Sequence, residues 1–201
     1  MLRRQNGFTI VELLIVIVVI AILAAITIVA YNGIQQRARN SQTAEAVHAY
    51  LNGMAIYQGD NGNYPALSSG VYFACLGDEY PDNSCWKSGS STYVEDSTLN
   101  AAMKDALGSK LPMPGIPPSR NFSGILYVPL ISSQLSATYR IDGNNTAWIA
   151  YTLDASDTNT KCPVGPVASF NGATFSSTPP ASGQTTNGNA VSNATCWIPL
   201  K

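Results

Sequence analysis

Gly7-Phe8-Thr9-Ile10-Val11-Glu12-Leu13-Leu14-Ile15-Val16-Ile17-Val18-Val19-Ile20-Ala21-Ile22-Leu23 opens a run in which no charged residue stands between Leu13 and Gln36. That run exceeds the ~20 residues an α-helix needs to cross a hydrocarbon core of about 30 Å. A cleaved secretory signal is the rival reading, but its apolar region spans roughly 7 to 15 residues and ends at a small-residue site. The rival also suffers from Glu12, which separates the cationic start, with Arg3 and Arg4, from the uninterrupted apolar run. An ionisable group at the centre of a membrane helix costs on the order of 3 kcal/mol and usually marks function. Placing Glu12 at headgroup level explains why it is tolerated. It does not explain why a carboxylate stands between Val11 and Leu13, and a partner for it is expected.

Gly7-Phe8-Thr9-Ile10-Val11-Glu12-Leu13-Leu14 resembles the processing site of type IV prepilins and of the pseudopilins of type II secretion. The resemblance implies that a prepilin peptidase cuts behind Gly7 on the cytoplasmic side and that the new terminus, Phe8, is N-methylated. It further implies that Glu12 pairs with the N-terminal amine of a neighbouring subunit in a filament. Four residues of helix rise about 6 Å, so one chain's Glu12 and its neighbour's terminus meet after a small axial stagger. Such a pair fixes register more than it adds stability, because desolvation offsets much of the Coulomb gain while an unpaired buried charge is penalised. The positive-inside rule is nearly silent, since Arg3 and Arg4 before the span are balanced by Arg37 and Arg39 after it.

Composition describes two solvents in one chain. The hydrophobic share of 45% is concentrated at the N-terminus, and the remainder is rich in Ser, Thr, Asn, Gly and Pro. Charged residues make up 11% and the formal net charge is -1, so no field favours nucleic acid, and none is expected as a partner. Cys75, Cys85, Cys162 and Cys196 all lie beyond the apolar block, and an even count in a lysine-poor domain suits disulfides in an oxidising compartment. Zinc is the competing reading, but the one histidine, His48, lies far upstream and the spacings match no common zinc module. Four cysteines allow three connectivities; proximity favours Cys75 with Cys85 and Cys162 with Cys196 without settling it.

No proline occurs between Phe8 and Gln58, and Ile34, Ala38, Val47, Leu51 and Met54 recur at helical spacing, so one helix is expected over 8–58. Its membrane or filament-core half is about 8–36. It should stop in Tyr57-Gln-Gly-Asp-Asn-Gly-Asn-Tyr-Pro65, where glycine and asparagine accept a left-handed cap and proline forbids continuation. This stretch also resembles the turn after the first helix in pilins and pseudopilins. Beyond it, Val71–Leu76, Gly124–Ile131, Ala137–Ile141 and Thr146–Leu153 read as strands, and Leu99–Leu107 as a short helix. A hairpin is expected at Asp142-Gly-Asn-Asn145, another at Asn171-Gly172 between Phe170 and Phe175, and a proline-rich loop over Lys110–Ser119. Residues 176–193 read as a mobile polar loop. The expected architecture is α+β: a leader over 1–7, a helical spine over 8–58 packed on an antiparallel sheet, and a head over 59–201.

No Gly-x-Ser-x-Gly elbow, phosphate-cradling loop or histidine beside a nucleophile is present, so no catalytic residue, cofactor or metal site is assigned. Asp154, Asp157 and Asn159 match no EF-hand spacing and read as a polar turn. Asn121, Asn144 and Asn193 stand in acceptor triplets that arise by chance in so Asn- and Ser-rich a chain, and no sugar is assigned. The expected function is a structural subunit of a type IV pilus, first a single-pass protein of the cytoplasmic membrane and then part of an extracellular filament. Its expected partners are prepilin peptidase, membrane lipid, the assembly machinery of the membrane, and copies of itself or other pilins. The alternatives are a secretion pseudopilin or minor pilin, and a non-polymerising single-pass protein with an external binding head.

Overall fold

The structure, a computed structural model, describes residues 9–88, 91–108, 110–116, 124–129, 147–154, 162–164, 169–170, 175–176 and 193–200. The chain divides into two compact units, Met1–Arg37 and Ala38–Lys201. Helix α1 spans Ile10–Asn61 and contributes to both. Within the first unit its large apolar side chains, from Ile10 at 80% to Val16 and Val19 at 47%, are exposed on every side. A helix that is apolar all round has no water-facing stripe, so lipid or other helices are its natural surroundings. It is long and apolar enough to cross a membrane.

In the second unit α1 becomes amphipathic. Thr43, Ala46, Val47, Tyr50 and Met54 are buried at three- and four-residue spacing, while Glu45, His48, Asn52, Ala55 and Ile56 face solvent. This stripe differs from the expected one: Ile34 is 65% exposed, Ala38 is exposed, and Tyr50 rather than Leu51 occupies the centre. Spacing alone does not separate Tyr50 from Leu51, since a tyrosine has an apolar body and a polar tip. The helix ends at Asn61, three residues beyond the expected 58, where Gly62 takes φ 74° and its N–H donates to the Gln58 carbonyl at 2.8 Å.

The sheet that faces this helix combines β1 (Ala74–Cys75), β4 (Ile125–Pro129), β5 (Ala147–Asp154) and β8 (Asn193–Leu200), antiparallel and in the order β1-β4-β5-β8. Tyr127, Ile149 and Ile198 are paired in a row across three strands, as are Ile125, Tyr151 and Cys196. Both rows join one core with Ala46, Val47, Tyr50 and Met54 of α1 and with Leu99 and Met103 of α2 (Ser97–Leu107). The alternate residues Leu126, Val128, Trp148 and Ala150 form a second core on the opposite face with Cys75, Tyr80 and Cys85. Period-two alternation with both faces buried yields nearly continuous apolar strands, as in Ile125-Leu-Tyr-Val. The remaining strands form hairpins: β2 (Ser84–Ser88) with β3 (Ser91–Val94), and β6 (Ser169–Phe170) with β7 (Phe175–Ser176), where Phe170 pairs with Phe175.

Several expectations change. The strand over Val71–Leu76 shrinks to Ala74–Cys75, paired with Tyr127 and Leu126 of β4, before the chain turns at Gly77 with φ 125°. Helix α2 starts at Ser97 rather than Leu99, with Asp96 as its cap. Strands β2, β3 and β8 were not expected. The strand over Ala137–Ile141, the turn at Asp142–Asn145 and the loop segment 177–192 lie outside the described residues.

The segments between elements are held by buried tyrosines. Tyr50 Oη donates to the Pro112 carbonyl, Tyr80 Oη to Leu76, Tyr127 Oη to Pro65 and Tyr151 Oη to Val164, at 2.8 to 3.0 Å. Each ring adds apolar burial worth roughly 1.5–3 kcal/mol, and each hydroxyl satisfies a carbonyl that no strand or helix would reach. Two disulfides supplement them: Cys75–Cys85 joins β1 to β2, and Cys162–Cys196 joins a loop to β8.

Candidate functional site

The residues singled out at the N-terminus begin, in the described chain, at Thr9. Thr9 precedes the first helical residue, Ile10, and Glu12 stands three positions after it. The Glu12 N–H donates to Thr9 Oγ1 at 3.2 Å, while the Thr9 N–H and Oγ1–H donate to Glu12 Oε2 at 2.8 and 2.7 Å. This is a capping box, in which each side chain satisfies the other's otherwise orphaned amide. The first intrahelical bond follows, from Leu13 N–H to Thr9 O at 3.3 Å. A carboxylate here also meets the positive end of the helix dipole.

Thr9 was not singled out as a site residue in the sequence, although Thr-x-x-Glu before an apolar run is a readable start signal. The site is a surface and not a cavity: Ile10, Val11, Leu13 and Leu14 around Glu12 are 52 to 80% exposed. It offers a single carboxylate on an apolar rod, suited to receiving a cation.

Gly7 and Phe8 lie outside the described residues. The four cysteines fall in the second unit, far along the chain from Glu12, at the two disulfides described above. His48 is exposed on α1. Asp154 closes β5 opposite Asn193, while Asp157 and Asn159 lie outside the described residues. The triplet at Asn193 opens β8, where Thr195 is buried and pairs with Thr152.

The family model described as the prokaryotic N-terminal methylation motif matches residues 2–28. The type II secretion system core protein G of Aeromonas hydrophila is 33% identical over 69 residues, which is 34% of this chain and 48% of that protein. The protein of the same name from Escherichia coli (strain K12) is 31% identical over 68 residues, covering 34% and 47%. That of Vibrio cholerae serotype O1 is 30% identical over 70 residues, covering 35% and 48%.

The chain carries the prokaryotic N-terminal methylation motif and is similar over about a third of its length to type II secretion system core proteins G.

The motif and these relatives agree with a long N-terminal helix followed by antiparallel strands. The chain spans about half the length of the curated relatives it matches. No solved structure matches it. The capping box sits inside the matched motif, and the carboxylate it engages is the first acidic residue of the chain. The relatives are secretion-system proteins, so the pseudopilin branch fits the findings better than the pilus branch expected from the sequence.

Proposed function

We propose that this chain is a filament subunit of the secretion pseudopilin type, cut behind Gly7, methylated on Phe8 and polymerised through α1. The observation that carries the reading is Glu12: a carboxylate on a helix whose surroundings are apolar and exposed on all sides, inside the methylation motif. Stacked against copies of itself, such a helix buries the exposed Ile, Leu and Val side chains, each worth roughly 1.5–3 kcal/mol when fully covered. Apolar contact alone leaves the axial stagger free. A carboxylate that must meet an amine sets it, because every other stagger strands a charge in an apolar bundle at a cost of roughly 3–5 kcal/mol.

The test has two parts. Mass spectrometry of mature protein should find N-methylated Phe8 as the first residue, whereas residues 1–7 retained on the mature chain would favour the non-polymerising single-pass protein. Glu12→Ala should insert and be cleaved at wild-type levels, since it makes the span more apolar, yet should lose filaments. Glu12→Gln should share that loss, which assigns it to charge. Both variants polymerising normally would leave apolar packing as the whole account.

A pilus subunit is the second reading, favoured by the relatives' matching about a third of this chain and so leaving most of the head without a counterpart in them. Deleting the gene separates the two. Loss of exported proteins from the medium with surface pili intact supports the pseudopilin, and loss of surface pili with export intact supports the pilin.

A further inference from the structure

The head carries a hollow of about 450 Å³, lined by Asn83, Glu95, Ser97, Asn100, Ala101 and Lys104. The chain that leads into it, between β1 and β2, is held in an uncommon backbone: Glu79, Asp82 and Asn83 take φ 97°, 59° and 51°. Left-handed non-glycine residues cost free energy, and such strain gathers where a loop is shaped for a ligand. Two side chains of α2 pin this loop. Asn100 Nδ2 donates to the Gly77 carbonyl at 3.0 Å, and Lys104 Nζ pairs with Asp78 Oδ2 at 2.6 Å. Glu95 pins it as well, its Oε1 accepting from the Glu79 and Tyr80 N–H groups at 3.1 and 2.9 Å.

These bonds leave a defined remainder. Asn100 is 7% exposed, and its Oδ1 has no hydrogen-bond partner. Turning the amide over would set that oxygen against the Gly77 carbonyl, so the orientation is fixed. Buried polar atoms are nearly always satisfied, and this exception calls for a donor. Glu95 Oε2 is also without a bond among the described residues. The cation of the lining, Lys104, is already engaged by Asp78. The hollow thus presents one charged acceptor and one neutral acceptor. We propose that it binds a guanidinium group, which donates to Glu95 Oε2 and Asn100 Oδ1 together.

Other ligand classes fit less well. An anion meets the Glu95 carboxylate. Calcium takes about six to eight oxygens, several of them charged, whereas the lining holds one carboxylate and no group of three acidic, histidine or cysteine residues is placed for a metal among the described residues. An ammonium is a compact, strongly hydrated point charge. A guanidinium is flat, sheds water more readily and carries five donors in a fixed fork, so it reaches two acceptors at once. The group can come from a free guanidine compound or from an arginine displayed by another polypeptide. All the residues involved lie in the second unit, so the site stands apart from the assembly reading of Glu12.

The experiment follows the Asn100 side-chain amide by nuclear magnetic resonance in isotope-labelled full chain in detergent. The probes are ethylguanidinium, L-arginine and the peptide Gly-Arg-Gly, with ethylammonium and calcium for comparison. The guanidinium probes should shift the Asn100 signal, and the comparison cations should bind at least about tenfold more weakly, the factor a hydrogen bond to a charged group supplies. L-arginine binding tighter than the peptide identifies a free compound; equal or tighter binding of the peptide identifies a displayed arginine. Glu95→Gln keeps an acceptor for the Glu79 and Tyr80 amides and should weaken binding about tenfold. Ala101→Leu removes no bond and crowds the hollow, so it should weaken binding too and carries the test should Glu95→Gln unfold. Absence of any Asn100 shift with millimolar guanidinium probes would overturn the proposal. So would an equal response to ethylammonium or calcium, or undiminished binding by either variant with a melt like that of wild type.

Discussion

Gly115 shows how much one position can decide that its neighbours in sequence do not announce. It lies in Lys110-Leu-Pro-Met-Pro-Gly-Ile116, a stretch whose composition says only loop, yet the segment runs against α1 as a strap. Gln42 Nε2 donates to the Met113 carbonyl, the Gly115 N–H donates to Thr43 Oγ1, and Tyr50 Oη donates to Pro112. A Cβ at Gly115 would collide with the Arg39 carbonyl oxygen and its Cα, and a helix backbone cannot give way as a side chain can. Gly115→Ala should therefore lift the strap and destabilise the head by about 1–3 kcal/mol. A calorimetric melt of the head should fall by several degrees, and an unchanged melt would show that the strap does not bear on stability. Thr9 and Glu12 are the opposite case, since the Thr-x-x-Glu spacing is open to view once capping rather than charge is asked about.

The four buried tyrosines act at the level of elements, each tying a segment without regular structure to a strand or helix. Burial is the first cause pushing all four hydroxyls above the ordinary tyrosine value of 10, and for Tyr50 the nearby Tyr80, Asp78 and Glu95 push the same way. A group whose folded pKa is raised stabilises the fold fully below its unfolded value, and that contribution is lost as pH rises beyond it. The melting temperature should thus hold steady from pH 7 to about 9 and fall above about 10. Tyrosinate absorbance from these rings should appear only together with loss of far-ultraviolet helix signal. Ionisation of Tyr50, Tyr80, Tyr127 and Tyr151 in a still-folded head would contradict the burial argument. At the acid end Asp96, opposed by its own burial, is held below the ordinary range by the Leu99 amide and by Ser68. Its contribution is present above about pH 4 and is lost below. The legibility of elements follows from the same physics. Strands β4 and β5 were readable because both of their faces are buried, which makes them apolar runs. Strand β8 was not, since Pro199 argues against a strand; it is tolerated because β8 is the end strand of the sheet, where a missing N–H breaks no ladder. The β2–β3 hairpin reads as Ser-rich loop and depends on the cystine at Cys85 and on Asn83, whose carbonyl accepts from the Glu95 N–H at 3.2 Å.

At the scale of the whole chain, the composition makes legible that α1 runs from an apolar half into an amphipathic one, and the structure divides the chain into units at Arg37 and Ala38. Among the described residues, every buried residue of both cores lies at or beyond Ala46, within the second unit. The sheet, α2, the strap and both disulfides likewise draw their partners from within Ala38–Lys201. A fragment of those residues, made in an oxidising compartment, is expected to fold alone as a soluble monomer with a single cooperative melt. Its α1 remnant should stay helical, because Val47, Tyr50 and Met54 are fully buried and hold it by tertiary contact rather than by propensity. The same fragment lacks the apolar rod and Glu12 and should never enter filaments. Its melt should lie within a few degrees of that of the full chain in detergent, and amide exchange should protect Val47 to Met54 equally in both. A fragment that binds hydrophobic dye and exchanges those amides freely would show that the head needs the first unit in order to fold. The division of labour between a rod that assembles and a head that folds by itself would then be wrong.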